Sequence, residues 1–148
     1  ADLTRILEEA AQMCGPAVRA AGARLEQRLS AVPRIWGVRG SLLQVFVNLI
    51  TNAAHALEGR GGSIVLELAP CRERVEASVR DDGPGMEPEV RRRIFEPFFS
   101  TKPAGKGTGL GLSIVQGIVA RHGGAITVDT VPGRGTTFTV SFPLRRPI

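Results

Sequence analysis

The sequence predicts an α/β fold: a two-layer α/β sandwich in which helices cover one face of a mixed, mostly antiparallel sheet. Half-apolar segments alternate with period two over residues 23–29, 63–69, 73–82, 125–131 and 136–142, whereas residues 3–21, 41–58 and 109–122 carry apolar side chains at helical spacing. The order is helix, strand, helix, two strands, short helix, glycine-rich loop, helix, two strands. Strands that are apolar on one side only belong to a sheet with one covered face and one face open to solvent.

Length and composition set the outer limits. A chain of 148 residues with 43% hydrophobic content fits one domain spanning residues 1–148 and can bury a core without staples. No apolar run reaches membrane-spanning length and no charged-then-apolar leader opens the chain, so a soluble domain without direct membrane contact is expected. The start at Ala1-Asp2-Leu3, without methionine, suggests a domain cut from a longer protein. Cys14 and Cys71 are far apart and lack metal or redox spacing, which points to a reducing, cytoplasmic setting. The net charge of +5 invites a nucleic-acid reading, but the arginines are scattered, tyrosine is absent and no recognition motif appears. The Arg91-Arg92-Arg93 run after Glu87 and Glu89 reads as a solvated helix face.

In chain order, Leu3, Ile6, Leu7, Ala10, Cys14, Ala17, Val18 and Ala21 form a helical stripe that Gly15-Pro16 should break. Gly22 ends it, and a strand follows over 23–29. Residues 31–40 form a connector in which a short strand is expected around 34–36, with Trp36 in the core or at a pocket rim. The helix over 41–58 buries Leu42, Leu43, Phe46, Leu49, Ile50, Ala53 and Leu57. Gln44, Asn48, Thr51, Asn52 and His55 share another arc of that helix. A solvated face ordinarily holds Glu, Lys or Arg, which are better helix formers than Asn. Ligand contact and amides satisfying nearby backbone are both compatible with this stripe.

The strands over 63–69 and 73–82 read as an antiparallel pair. The alternation that buries Val75, Ala77 and Val79 also carries Asp81 inward, where an unpaired carboxylate is costly. Gly83-Pro84-Gly85 follows, a turn that leaves room for a planar ligand. Taken alone, Asp81 is as compatible with turn chemistry as with binding. Prolines 97 and 103 and glycines 105, 107, 109 and 111 then forbid regular structure until a helix begins near residue 109. Unpaired N–H groups at such a helix start, backed by the helix dipole, suit a phosphate. Phe95, Phe98 and Phe99 flank this loop as a hinge or docking contact. Pro132-Gly133-Arg134-Gly135 joins the last two strands mainly as a hairpin turn.

Four blocks then carry a resemblance that covers nearly the whole chain. Asn48-Leu-Ile-Thr-Asn52-Ala-Ala-His-Ala, Asp81-Asp-Gly-Pro-Gly85-Met, Ile94-Phe-Glu-Pro-Phe-Phe99 and Gly107-Thr-Gly-Leu-Gly111-Leu, with Gly133-Arg-Gly-Thr-Thr137 behind them, resemble the ATP-binding catalytic domain of bacterial two-component sensor histidine kinases. The run over 95–115 looks most like kinases of the nitrogen-regulation type. The resemblance implies the Bergerat-type ATP-binding sandwich shared with gyrase, mismatch-repair ATPases and a heat-shock chaperone. It implies ATP and Mg²⁺ as cofactors, with Asp81 accepting from the adenine amino group, Asn52 ligating the metal and Asn48 orienting the same cluster. Gly83, Gly85, Met86, Phe95, Gly107, Thr108, Gly109, Leu110, Gly111, Leu112 and Thr137 would line the nucleotide, and His55, Lys102 and Lys106 would add charge near the phosphates.

Where the family often has an acidic residue, this sequence has Val38, which leaves Ser41 as the expected helix cap. Neither His55 nor His122 resembles a phosphoacceptor. The implied partners are therefore a histidine-containing dimerisation domain upstream in the same parent chain and a response regulator downstream. The isolated domain is expected to be a monomer, and the parent is compatible with a membrane anchor. Two alternatives stay open on sequence: an ATPase switch of the gyrase or chaperone type, and a nucleotide-sensing module without transfer activity. The ATPase switches place a glutamate base where Asn48 stands.

Overall fold

The computed structural model describes residues 1–99 and 111–144. Helix α1 (Leu3–Met13) starts at Asp2, whose side chain accepts the Arg5 N–H at 3.3 Å. It breaks at Cys14, where Gly15-Pro16 opens a second short helix, α2 (Gly15–Ala20), in line with the break read from the sequence. Strand β1 (Ala23–Leu29) leads through a connector to the long helix α3 (Arg39–Leu57). Strands β2 (Gly62–Cys71) and β3 (Arg74–Asp81), the single turn α4 (Pro88–Arg91), helix α5 (Gly111–Arg121), and strands β4 (Ala125–Val131) and β5 (Gly135–Pro143) complete the order.

The five strands form one sheet in the order β1-β2-β3-β5-β4. Only β1 and β2 run parallel, because α3 crosses between them. The remaining neighbours are antiparallel. Register lines up Leu66, Val79, Phe138 and Val128 in one row, and Leu68, Ala77, Val140 and Ile126 in the next. These side chains face the helices, with α3 packed between α1 and α5. On the opposite face the same strands carry Glu76, Arg80, Thr137 and Thr139, as period-two alternation requires. The mixed sheet with helices on one face is the two-layer architecture expected from the sequence. At the free edge of β4, the Arg91 guanidinium donates to the Val128 carbonyl at 3.1 Å, blunting an otherwise open edge.

Three local expectations change. Residues 30–38 contain no strand: the Ile35 N–H bonds to the Ala1 carbonyl at 3.1 Å, so the connector is tied to the start of α1 rather than to the sheet. Ile35, not Trp36, enters the core, and Trp36 is 39% exposed. Helix α3 begins two residues earlier than Ser41, with Val38 in the cap position and no side-chain cap, so Ser41 lies inside the helix and does not cap it. The Arg39 guanidinium at this start pairs with Glu9 of α1.

His122, at the end of α5, ties this uncapped connector down. Its Nε2 accepts the Val38 N–H at 3.0 Å, so Nδ1 carries the proton and donates to the Ile118 carbonyl at 2.8 Å. The ring is buried, with Trp36 tilted against it at 5.4 Å and the edge of Phe142 at 6.3 Å. Replacing it by phenylalanine keeps the ring and removes both hydrogen bonds. His122→Phe is expected to lower the unfolding free energy by about 1–3 kcal/mol in urea titrations; parent-like stability would show that ring packing alone matters.

Candidate functional site

The site begins with β3. Its alternation places Val75, Ala77 and Val79 in the core and continues to Asp81, which is only 4% exposed. One carboxylate oxygen, Oδ1, accepts the Gly83 N–H at 2.9 Å. Burial pushes the Asp81 pKa up, and the adjacent Asp82 adds to this; the backbone N–H groups of Gly83 and Thr136, with Arg60, act the other way. Gly83 is itself buried, and a Cβ there would press on the Asp81 carboxylate and on Ala56 of α3. At Gly83 the turn after β3 thus has no room for a side chain. Asp82 points elsewhere, accepting the Ser63 N–H at 2.8 Å.

The loop between β4 and β5 does more than reverse the chain. The Gly133 N–H donates to the Pro84 carbonyl at 2.6 Å, and the Met86 N–H donates to Thr130 Oγ1 at 2.9 Å. Gly85 has φ +69° and lies so close to the Val131 carbonyl that no Cβ fits; Gly135, at φ +94°, lies equally close to the Asp81 backbone. The hairpin therefore clamps the 83–86 turn from the side opposite α3.

Along α3, Asn48, Thr51, Asn52 and His55 are half-buried and Gln44 is exposed. Asn48 Nδ2 donates to the Gly111 carbonyl at 3.3 Å, linking α3 to the first residue of α5. Thr51 turns aside: its hydroxyl lies 3.7 Å from Cys14 Sγ. Cys14 also contacts the Val47 carbonyl, and burial pushes its thiol pKa up, so it is a packed core thiol. Among the described residues no group of three His, Cys, Asp or Glu is placed to hold a metal.

Met86, Phe95 and Leu112 are half-buried against the core, with Phe95 edge-on to Phe138 at 6.5 Å, and Gly111 has open space on its side-chain side. Phe99 lies under the Arg93 guanidinium at 4.6 Å, and Phe98 is 76% exposed with φ +66°. Thr137 pairs with Arg80 on the helix-free face of the sheet, whereas Thr136 pairs with Asp81 on the inner face and is buried. The geometry thus brings Thr136, not Thr137, beside the carboxylate. The alternation that buries Phe138, Val140 and Phe142 already carried that signal. Lys102, Lys106, Gly107, Thr108, Gly109 and Leu110 lie outside the described residues.

Residues 37–146 match the family described as "Histidine kinase-, DNA gyrase B-, and HSP90-like ATPase". The chain is 46% identical over 115 residues to the sensor histidine kinase ZraS of Klebsiella oxytoca, covering 77% of this chain and 24% of that protein. It is 38% identical over 134 residues to the sensory histidine kinase/phosphatase NtrB of Azospirillum brasilense, covering 81% of this chain and 33% of the relative. It therefore spans a third or less of the length of these curated relatives. Among solved structures, the catalytic domain of the histidine kinase ThkA superposes with a TM-score of 0.86 at 29% identity, over 98% of this chain and 94% of that one. Full-length ShkA in complex with AMPPNP gives 0.85 at 32% identity, over 99% of this chain and 31% of that one. With the fold in agreement, the chain belongs to the histidine kinase-, DNA gyrase B- and HSP90-like ATPase family.

Proposed function

We propose that this chain is the Mg-ATP-binding catalytic domain of a sensor histidine kinase, which passes the γ-phosphoryl group of ATP to a histidine on a separate dimerisation domain. The observation that carries this reading is a carboxylate buried at the end of β3, beside a turn whose Gly83 and Gly85 leave no room for a Cβ, together with the two half-buried asparagines of α3. The names of the relatives, and the nucleotide analogue bound to ShkA, support it.

An ionised Asp81 only accepts hydrogen bonds, which suits the adenine amino group and repels the carbonyl that guanine presents instead. Thr136 takes the place given to Thr137 beside this base end, and Gly83, Gly85, Met86, Phe95 and Leu112 complete its walls. At the other end, Asn52 offers a carboxamide oxygen to Mg²⁺. The donor set fits that ion: Mg²⁺ takes few protein ligands and fills its shell with phosphate oxygens and water, so no carboxylate cluster is required. When bound, the metal neutralises charge on the phosphates. Asn48 holds Gly111 through its amide nitrogen and leaves its oxygen to orient the same cluster. On this reading residues 107–110, His55, Lys102 and Lys106 approach the phosphates.

Asn48 cannot take a proton, which disfavours the hydrolytic ATPase-switch reading. His122 has both ring nitrogens committed to backbone and is no acceptor. The chain's contribution is binding and orientation, with the nucleophile supplied by the dimerisation domain and the phosphoryl group then passed to a response regulator. No helix among the described residues is long and apolar enough to cross a membrane. A cytoplasmic setting belongs to the same proposal.

By calorimetry, Asp81→Ala and Asn52→Ala are each expected to weaken Mg-ATP binding at least about tenfold; parent-like affinity in both would put the nucleotide elsewhere. Given γ-labelled ATP, the isolated domain should label no residue of its own and should label an added cognate histidine hairpin; stable label on His55 or His122 contradicts the reading. The raised Asp81 pKa means that the folded chain holds this proton more tightly than the unfolded one. Its stabilising contribution is present at low pH and is lost as pH rises through the raised value. Asp81→Asn is thus expected to raise the melting temperature by about 3 °C at pH 7 and by less at pH 4, followed by scanning calorimetry.

A further inference from the structure

Beyond holding the Met86 N–H, Thr130 makes two further polar contacts. It sits on β4 opposite Thr136 of β5, and Thr136 sits opposite Asp81 of β3, so three polar side chains form one row across three strands. The next row on the same face, Val79, Phe138 and Val128, is apolar. Thr130 Oγ1 accepts the Met86 N–H at 2.9 Å, donates to the Gly135 carbonyl at 3.1 Å and lies 2.9 Å from Thr136 Oγ1.

A hydroxyl has one proton and two lone pairs. The Gly135 carbonyl can only accept, whereas either threonine can donate to the other; with the Thr130 proton on Gly135, the proton shared between the two threonines is that of Thr136. Thr130 is then saturated, and Thr136 Oγ1 has only lone pairs left for any further partner. Beside it, Asp81 in its ionised form is also acceptor-only. This end of the site therefore offers two neighbouring acceptors and no side-chain hydroxyl donor.

We propose that Thr130 is a specificity-determining positioning residue: by taking the Thr136 proton it keeps that oxygen an acceptor, so the base end receives an exocyclic amine and refuses a carbonyl. The proposal rests on the nucleotide reading above and deepens it. Thr130 acts through Thr136 and touches no ligand. Without the Thr130 hydroxyl, Thr136 can rotate its O–H toward the ligand and donate to a carbonyl, while the Gly133 N–H to Pro84 bond and the tight Gly85 and Gly135 contacts still hold the turn.

The test compares Mg-ATP with Mg-ITP, which carries a carbonyl in place of the exocyclic amine. Calorimetry on the parent should show preference for ATP, and Thr130→Val should reduce the Kd ratio of ITP to ATP about tenfold. Thr130→Ser, which keeps the hydroxyl, should restore it. In a Thr136→Val background, Thr130→Val should change the ratio no further. Equal weakening of both nucleotides, or an unchanged ratio, overturns the proposal and leaves Thr130 a structural residue. If circular dichroism shows that Thr130→Val fails to fold, Thr130→Ala is read by the same outcomes. A parent that binds neither nucleotide overturns the nucleotide reading itself, whereas a discriminating parent with an unchanged ratio in the variant overturns only the role of Thr130.

Discussion

The structure depends on one carboxylate kept where carboxylates are costly. Asp81 extends the apolar inner row of β3, and its neighbours are arranged around that fact: a backbone N–H from Gly83, a buried threonine across the strand pair, and two glycines whose missing side chains let β5 and the hairpin approach. Desolvation still dominates over these partners, because the pKa of the acid remains raised. A fold selected for stability alone would place a valine or leucine here. The destabilising choice is explained when the position is held for a ligand that brings its own hydrogen-bond donor.

Sheet register is the device that positions this acid. Because β3 lies between β2 and β5, Asp81 is fixed from both sides, with Ile64 on one and Thr136 on the other. A slip of one residue in either pairing would turn the carboxylate to the helix-free face. The long apolar rows that precede Asp81 make such a slip prohibitive, since each would move a set of buried side chains into water. The core therefore sets the address of the polar group, and the parallel crossover lays α3 across the same face.

Periodicity in the sequence carried most of this. Alternation through Val75, Ala77 and Val79 was sufficient to bring Asp81 inward, and the Gly15-Pro16 break was visible as local chemistry. What the sequence did not reveal is tertiary. Residues 34–36 have strand-like composition but are held by the start of α1, and Val38 heads α3 without a side-chain cap because His122, distant in sequence, accepts its N–H. That Thr136 rather than Thr137 lies beside Asp81 follows from the phase of Phe138, which the sequence already shows. The hairpin read as a simple turn because a glycine needed for positive φ and a glycine needed for close approach look alike in one sequence. Gly85 and Gly135 serve both needs at once.

The two ends of the site are built on different principles, and this bears on what the domain can do alone. The base end is rigid: three strands, a clamped turn and a saturated hydroxyl leave little freedom, which favours recognition by shape and hydrogen-bond polarity. The α3 end is sparse, with half-buried carboxamides that cannot take a proton and the half-buried His55 further along the same arc. On the proposed reading, a clamped base end joined to asparagines that cannot act as a base suits an enzyme half that presents its substrate to a nucleophile arriving from outside. A glutamate in place of Asn48 would change that balance, because a base beside the phosphates could activate water in the absence of the proper acceptor. The amide in that position both holds the start of α5 and withholds the base.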